Sequence, residues 1–466
     1  MPNAADQVLT AAQMRAAEMA LIDGDTSVEE LMQRAGQGAA EWVWRICGGR
    51  TVTVLCGPGN NGGDGWVIAE AIRQLGGDVA VFTAADPATP AAQHARSAYS
   101  GTVLDASANR SGEVLVDCLF GTGLTRPLIP EHHALLTRLA AAHDKRVAID
   151  LPSGIDTDLG QPLNRDLPDY DITIALGAWK PAHFLMPAAA AMGTLRVVEI
   201  GIGAVEGAAC VVTPPLLSAP AADAHKYTRG LLGVVAGAMP GAALLAARSA
   251  QGAGAGYVRI YAEDPIDAPA DLVVDRQSLA EALLDGRISA LLIGPGLGRG
   301  GEARERLAIA LSEQRPAVLD ADALVLLGPR LLAEHKAPLI ATPHDGELFA
   351  LERAFGLDAA GSKVERAVAL AKAANMLVVA KGPDSVIAAP DGRLAFAPRA
   401  SSWLSTAGTG DVLAGAIASR LACGTEPFVA ACQGLWLHAE AARLCRPPFT
   451  AGRLAETVRS AYAACL

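Results

Sequence analysis

Apolar positions recur at helical spacing through Met14–Leu21 and again through Leu31–Val43, with the polar break IDGDTS between them. That pattern predicts an opening pair of amphipathic helices. Beyond Thr51 the period changes. TVTVLC, DVAVFTA, EVLVDCLF, RVAIDLP and ITIAL are short runs of nearly continuous apolar residues, and WVIAEAIRQL between the first two reads as a helix. Strands apolar on both faces and separated by helices predict a mostly parallel sheet covered by crossover helices. The segment VVTPPLLSAPAADAH has no period and is rich in Pro and Ala, so it reads as a linker. After it the alternation resumes. LLGVVAG, YVRIYA, ALLIGPG, AVLDAD, APLIAT and MLVVAKG are strand-like, GEARERLAIALSE is helical, and the C-terminal stretch is mostly helical. The chain therefore divides into two α/β domains, residues 1–213 and 216–466. The stretch Gly230–Ala247 carries no charge, but its four Gly and one Pro split it into strand, turn and helix, which argues against a membrane span.

A length of 466 residues accommodates two domains of this kind. With 51% hydrophobic and 19% charged residues the chain is globular rather than disordered. A net charge of −11 excludes a nonspecific nucleic-acid binder. Only 4% of residues are aromatic while 48 are Gly, which suits close-packed α/β layers better than a β-sandwich. The eight cysteines form no CxxC pair and several sit in apolar runs, so buried free thiols in a reducing cytoplasm are expected. The N-terminus lacks the basic and apolar regions of a signal peptide.

Between the first strand and its helix stands CGPGNNGGDG, with Gly57, Gly59 and Gly62 in the G-x-G-x-x-G spacing. Such a loop presents backbone N–H groups at a helix N-terminus and can seat a pyrophosphate. Asp64 beside that seat disfavours an ordinary hydride-transfer site and favours a different nucleotide pose. Asp117, Asp150, Lys180 and the loop Gly121–Arg126 follow at strand C-termini, where open α/β sheets place ligands. Asn61, Asp117, Asp150 and Ser153 together offer oxygen donors to a hard cation, or a carboxylate for acid/base work.

CGPGNNGGDG, VDCLFGTGL and DLPSGID resemble the YjeF-type N-terminal domain of the NAD(P)H-hydrate epimerases. The likeness covers roughly residues 10–213 and implies a Rossmann-like three-layer αβα domain. It implies that Asn61, Asp117 and Ser153 hold a potassium ion. It also implies that Asn60, Asn61, Gly62, Gly63 and Asp64, together with Gly121, Thr122, Gly123, Leu124, Thr125, Arg126 and Pro127, contact the hydrated nucleotide. Asp150 takes the place of the acid/base residue.

In the second half STAGTGDVLAGAIAS predicts a loop over Ala407–Gly410 whose N–H groups converge at the start of a helix. Asp411 in the first turn faces the same point and can take a proton from an attacking hydroxyl. IGPGLGRG, TPHDGE and VVAKGPDS precede it, and HKYTRG adds positive charge near the start of the domain. GPGLG, TPHDGE, KG and GTGD in this order resemble the ribokinase-like ADP-dependent NAD(P)H-hydrate dehydratases over about residues 216–466. The resemblance implies that Ala242, Gly296, Gly298, His344 and Asp411 face the hydrate. It further implies that Lys381, Gly382, Pro383, Asp384, Ser385 and Gly410 contact ADP carrying Mg²⁺. Two positions depart from the family pattern: Asp345 stands where Pro is common, and Ala407 where Gly is common. If residue 407 must take a left-handed conformation, Ala there weakens nucleotide binding.

Together the two resemblances imply a repair enzyme for hydrated nicotinamide cofactors, acting on NADHX and NADPHX with ADP. No nucleic-acid or membrane partner is expected, and a homo-oligomer is. A small-molecule kinase and a non-catalytic scaffold remain the alternatives.

Overall fold

In the computed structural model residues 4–466 are described, and the chain forms two compact units, Met1–Cys210 and Val211–Leu466. The first unit opens with helices Ala11–Asp23 and Val28–Cys47, the pair anticipated from the apolar spacing. Its main sheet has seven strands in the order Thr102–Leu104, Val79–Thr83, Val52–Cys56, Gly112–Cys118, His143–Ile149, Ile172–Leu176 and Thr194–Val198. Every pairing is parallel. Strand order reverses between Val52–Cys56 and Gly112–Cys118, so a crevice opens at their C-terminal ends. Both strands are buried along almost their whole length, which is why their sequences run apolar without alternation.

The second unit follows the same logic. From Leu231–Val235 the sheet runs outward through Tyr257–Tyr261 and Val273–Asp275 on one side. On the other it runs through Ile288–Ile293, Ala317–Leu319, Leu339–Ala341 and Leu377–Ala380. These pairings are parallel, and Val386–Ala388 and Leu394–Phe396 follow Leu377–Ala380 antiparallel. The uncharged stretch at 230–247 divides into strand Leu231–Val235 and helix Pro240–Gly252, and no described helix is long and apolar enough to cross a membrane. Helices Thr409–Ala422, Pro427–Leu444 and Ala451–Ala463 complete the C-terminal stretch.

One local expectation fails. The residues NNGGDG form no loop, because helix Asn60–Gln74 already begins at Asn60, with Gly59 as its N-cap. Gly is a poor helix former, yet tertiary contact demands it here. A Cβ on Gly62 would lie 1.9 Å from the Gly57 carbonyl oxygen, and one on Gly57 would lie 1.8 Å from that of Leu119. Helix and loops touch backbone to backbone.

Candidate active sites

At the switch point of the first unit lies a cavity of about 610 Å³. Asn60, Asn61 and Asp64 reach it from the helix Asn60–Gln74. Gly121–Arg126 reach it from the loop after strand Gly112–Cys118, and Asp150 from the end of the next strand. Gly62, Gly63 and Pro127 do not line it. Helix Ala11–Asp23 supplies Met14, Arg15 and Glu18, and Lys180 rises from the floor. Of these four only Lys180 stands out in the sequence, as a charge following an apolar run at a strand C-terminus.

Asp150 sits at φ 65°, a left-handed conformation that turns its carboxylate back over the strand ends. Its Oδ2 accepts hydrogen bonds from the backbone N–H and hydroxyl of Thr122, and its Oδ1 from Lys180 Nζ and the Leu176 N–H. Burial works to raise the Asp150 pKa, but the Lys180 charge and these donors outweigh it and hold the carboxyl below its usual value. Asp64 has the opposite fate. Among the described residues nothing donates to its carboxyl, and burial, followed by the charges of Asp150 and Glu18, pushes its pKa well up. One cavity thus holds two carboxyls whose proton affinities are pushed in opposite directions. His183 is neutral: burial lowers its pKa to about 4, its Nδ1 accepts from the Lys180 N–H, and its Nε2–H donates to the Asp150 carbonyl.

Asp117 and Ser153 lie beneath the cavity. The Ser153 hydroxyl and N–H donate to Asp117, as do the Tyr170 hydroxyl and the Leu119 N–H, and among the described residues no charged side chain pairs with this buried carboxylate. Burial raises its pKa against those bonds. The Asn61 amide is buried with neither oxygen nor nitrogen hydrogen-bonded. A Cβ on Gly121 would fall 3.1 Å from both Asn61 Oδ1 and Asp150 Oδ2. The orphaned Asn61 amide oxygen and the side-chain-free gap at Gly121 beside it suit a desolvated monovalent cation, with the Asp117 carboxylate below as its counter-charge.

In the second unit Gly408, at φ 91°, is the N-cap of helix Thr409–Ala422, with Asp411 in the first turn. Ala407 is not left-handed, so the departure at that position adds no strain. Burial, then the Asp320 charge, pushes the Asp411 pKa up to about 7 while Lys381 pulls it down. Lys381 Nζ donates to Asp320 at 2.6 Å and lies 3.9 Å from Glu347. Burial opposes its charge, and Asp320 and Glu347 restore it. The Asp322 carboxylate accepts from the Gly298 N–H at 2.9 Å and from Arg299 Nε at 2.7 Å, which pins the GPGLG turn. Ala242 packs against Gly296, whose added Cβ would meet it at 3.2 Å. His344 caps helix Asp345–Ala354, its Nδ1 accepting from the N–H groups of Gly346 and Glu347. Asp345 occupies the first helical position, where an acid favours the helix dipole as Pro favours its φ, so this departure too is accommodated.

A second cavity of about 440 Å³ is lined by Lys381, Gly382, Pro383, Ser385, Thr409, Gly410 and the buried His438. Asp384 turns away to Lys363. HKYTRG lies at the opposite, N-terminal end of strand Leu231–Val235. There Lys226 stacks on Tyr227 and Tyr257, and Arg229 bonds the Gly254 carbonyl, so its charges are structural.

Two family models match the chain: the YjeF-related protein N-terminus over residues 28–182 and NAD(P)H-hydrate dehydratase over residues 232–462. The chain is 32% identical over 457 residues to the bifunctional NAD(P)H-hydrate repair enzyme Nnr of Mycobacterium leprae, covering 93% of this chain and 94% of that protein. It is 30% identical to the protein of that name from Thermofilum pendens, covering 91% and 90%. A solved Bacillus subtilis ADP/ATP-dependent NAD(P)H-hydrate dehydratase, co-crystallised with ATP and Mg²⁺, is 29% identical. It covers 54% of this chain and 95% of that chain at a TM-score of 0.48.

Proposed function

Because the chain belongs to the family of bifunctional NAD(P)H-hydrate repair enzymes, we propose how its two sites divide the repair. The N-terminal domain is the epimerase of the hydrated cofactor and the C-terminal domain its nucleotide-dependent dehydratase. In the hydrate, a hydroxyl on the carbon beside the ring nitrogen stands in R or S configuration.

Asp64 and Asp150, facing one cavity with their pKa values pushed in opposite directions, carry the epimerase reading. Asp64 gives its proton to the hydroxyl, the carbon–oxygen bond breaks, and water leaves as the ring nitrogen shares its lone pair. A second water attacks the other face of the planar carbon, and Asp150 takes its proton. The inverted hydrate results, and the reverse reaction exchanges the two roles. Asp150 acting alone, as both acid and base, fits less well because Lys180 holds it ionised. A potassium ion held by Asn61, Asp117 and Ser153 would supply positive charge beneath the floor.

In the dehydratase domain Asp411, poised near neutrality, takes the proton of the S-hydrate hydroxyl as that oxygen attacks the β-phosphorus of ADP. The bond to AMP breaks. The new phosphate ester then departs as inorganic phosphate, a better leaving group than hydroxide, and loss of a proton from the neighbouring carbon restores the ring double bond. Lys381 and the N–H groups at Gly408–Gly410 stabilise the phosphoryl charge. Magnesium accompanies the nucleotide. Eight free cysteines support a reducing, cytoplasmic setting.

The test uses a mixed-epimer preparation of hydrated NADH with ADP and Mg²⁺, followed by the near-ultraviolet absorbance of the reduced ring. Full recovery from both epimers is expected. Recovery of the S share alone would remove the epimerase reading, and a stable phosphorylated product would replace the dehydratase by a kinase.

A further inference from the structure

The epimerase cavity is acidic at its floor, with Asp64, Asp150 and Glu18, yet its proposed substrate carries a pyrophosphate. Lys180 cannot answer that charge, since its ammonium is buried and spent on Asp150 and the Leu176 carbonyl. Two cations remain along the lining, Arg15 and Arg126. Both are exposed, and neither guanidinium has a hydrogen-bond or ion-pair partner among the described residues.

Arg15 is also aimed. A Cβ on Gly123 would stand 3.5 Å from Arg15 Nη1, so the guanidinium hangs over the Gly121–Arg126 loop that walls the cavity. Its helix is fixed at that place. The Ala11 N–H donates to Asp158 at 2.8 Å, Thr10 and Gln13 close a capping box, and Met14 is buried under Gly177. Residue 15 lies outside the span 28–182 matched by the YjeF model, so nothing in that match assigns it a role.

We propose that Arg15, with Arg126, forms a phosphate clamp at the mouth of the epimerase cavity, making the N-terminal helix part of the substrate site. The clamp draws the phosphate oxyanions of the dinucleotide to the mouth and leaves the hydrated ring over Asp64 and Asp150 on the floor. Planar guanidinium forks suit this task, because they bind phosphate through paired N–H donors. The inference rests on the dinucleotide substrate argued above.

Arg15→Ala and Arg15→Lys test it, with epimer exchange measured on hydrated NADH and hydrated NADPH. Arg15→Ala should raise KM about 10-fold or more, the loss of a charge-assisted hydrogen bond, with kcat within about twofold. Arg15→Lys should recover part of it. An equal effect on both cofactors assigns the pyrophosphate, and an effect confined to hydrated NADPH assigns the 2′-phosphate. The KM rise should shrink as salt is added. Unchanged KM for both cofactors overturns the clamp, as does a fall in kcat alone. Wild-type protein that exchanges no epimers under the same conditions would instead remove the epimerase reading, so the two failures are distinct.

Discussion

Lys180 and Asp150 form an ion pair with both side chains withdrawn from solvent, 1% and 9% exposed. Such a pair punishes the loss of one partner far more than the loss of both. Asp150→Asn should therefore destabilise the N-terminal domain by about 3–5 kcal/mol, while Asp150→Asn with Lys180→Met recovers most of that. Both variants should lose epimerisation by about 100-fold or more. Urea unfolding and epimer exchange read the two effects separately, and a single variant as stable as wild type would contradict the pairing.

The cradle at the start of helix Thr409–Ala422 depends on Gly408 and not on Ala407. Gly408 is left-handed, and a Cβ there would come within 2.9 Å of both Leu245 and Ala451. Gly408→Ala should cost at least about 1 kcal/mol and impair nucleotide binding, while Ala407→Gly leaves nucleotide affinity within about twofold. Titration of both variants with ADP decides it. A marked gain in affinity from Ala407→Gly would mean that position 407 flips when nucleotide binds.

Ala321 stands between Asp320 and Asp322 at φ 47° and ψ −121°, a conformation that favours glycine. The strain is worth about 1–3 kcal/mol, and glycine returns about 0.5–1 kcal/mol of it through the freer unfolded chain. Ala321→Gly should consequently stabilise the C-terminal domain by up to about 2 kcal/mol. A denaturation midpoint that fails to rise would show the backbone to be at ease there.

Asp411 binds its proton more tightly when folded, with a pKa of about 7 against about 4 in the open chain. Folded protein therefore holds more protons between those values, and its stability falls as pH rises from about 4 to about 7. Asp411→Asn removes that loss. Its Tm should exceed that of wild type at pH 8 and match it at pH 4. Dehydration in the wild type should climb through pH 7 as the carboxylate forms, and Asp411→Asn should abolish it while sparing epimer exchange.

The strands that carry the sites were legible from sequence because both faces are buried. Val52–Cys56 and Ile288–Ile293 have no polar side to blur the signal. The short edge strands Thr102–Leu104 and Val273–Asp275 were not, because half-exposed three-residue segments carry no period. NNGGDG reads as a loop by propensity and winds as helix only because glycine admits the neighbouring backbone. Asp150, Asp411 and Lys381 stood out at strand ends or beside a glycine-rich turn. Arg15, Glu18 and Asp322 act through neighbours distant in the chain, and one sequence carries no trace of that proximity.

The meeting of Gly62 with Gly57, and of Gly57 with Leu119, ties the segment bearing Asn61 and Asp64 to the loop bearing Thr122 and Arg126. Main chain rests on main chain, so no side chain acts as spacer. The distance from proton donor to anion-facing loop is therefore indifferent to what the neighbouring residues are. Drift can replace the packing residues around the two crossings so long as Gly57 and Gly62 stay bare.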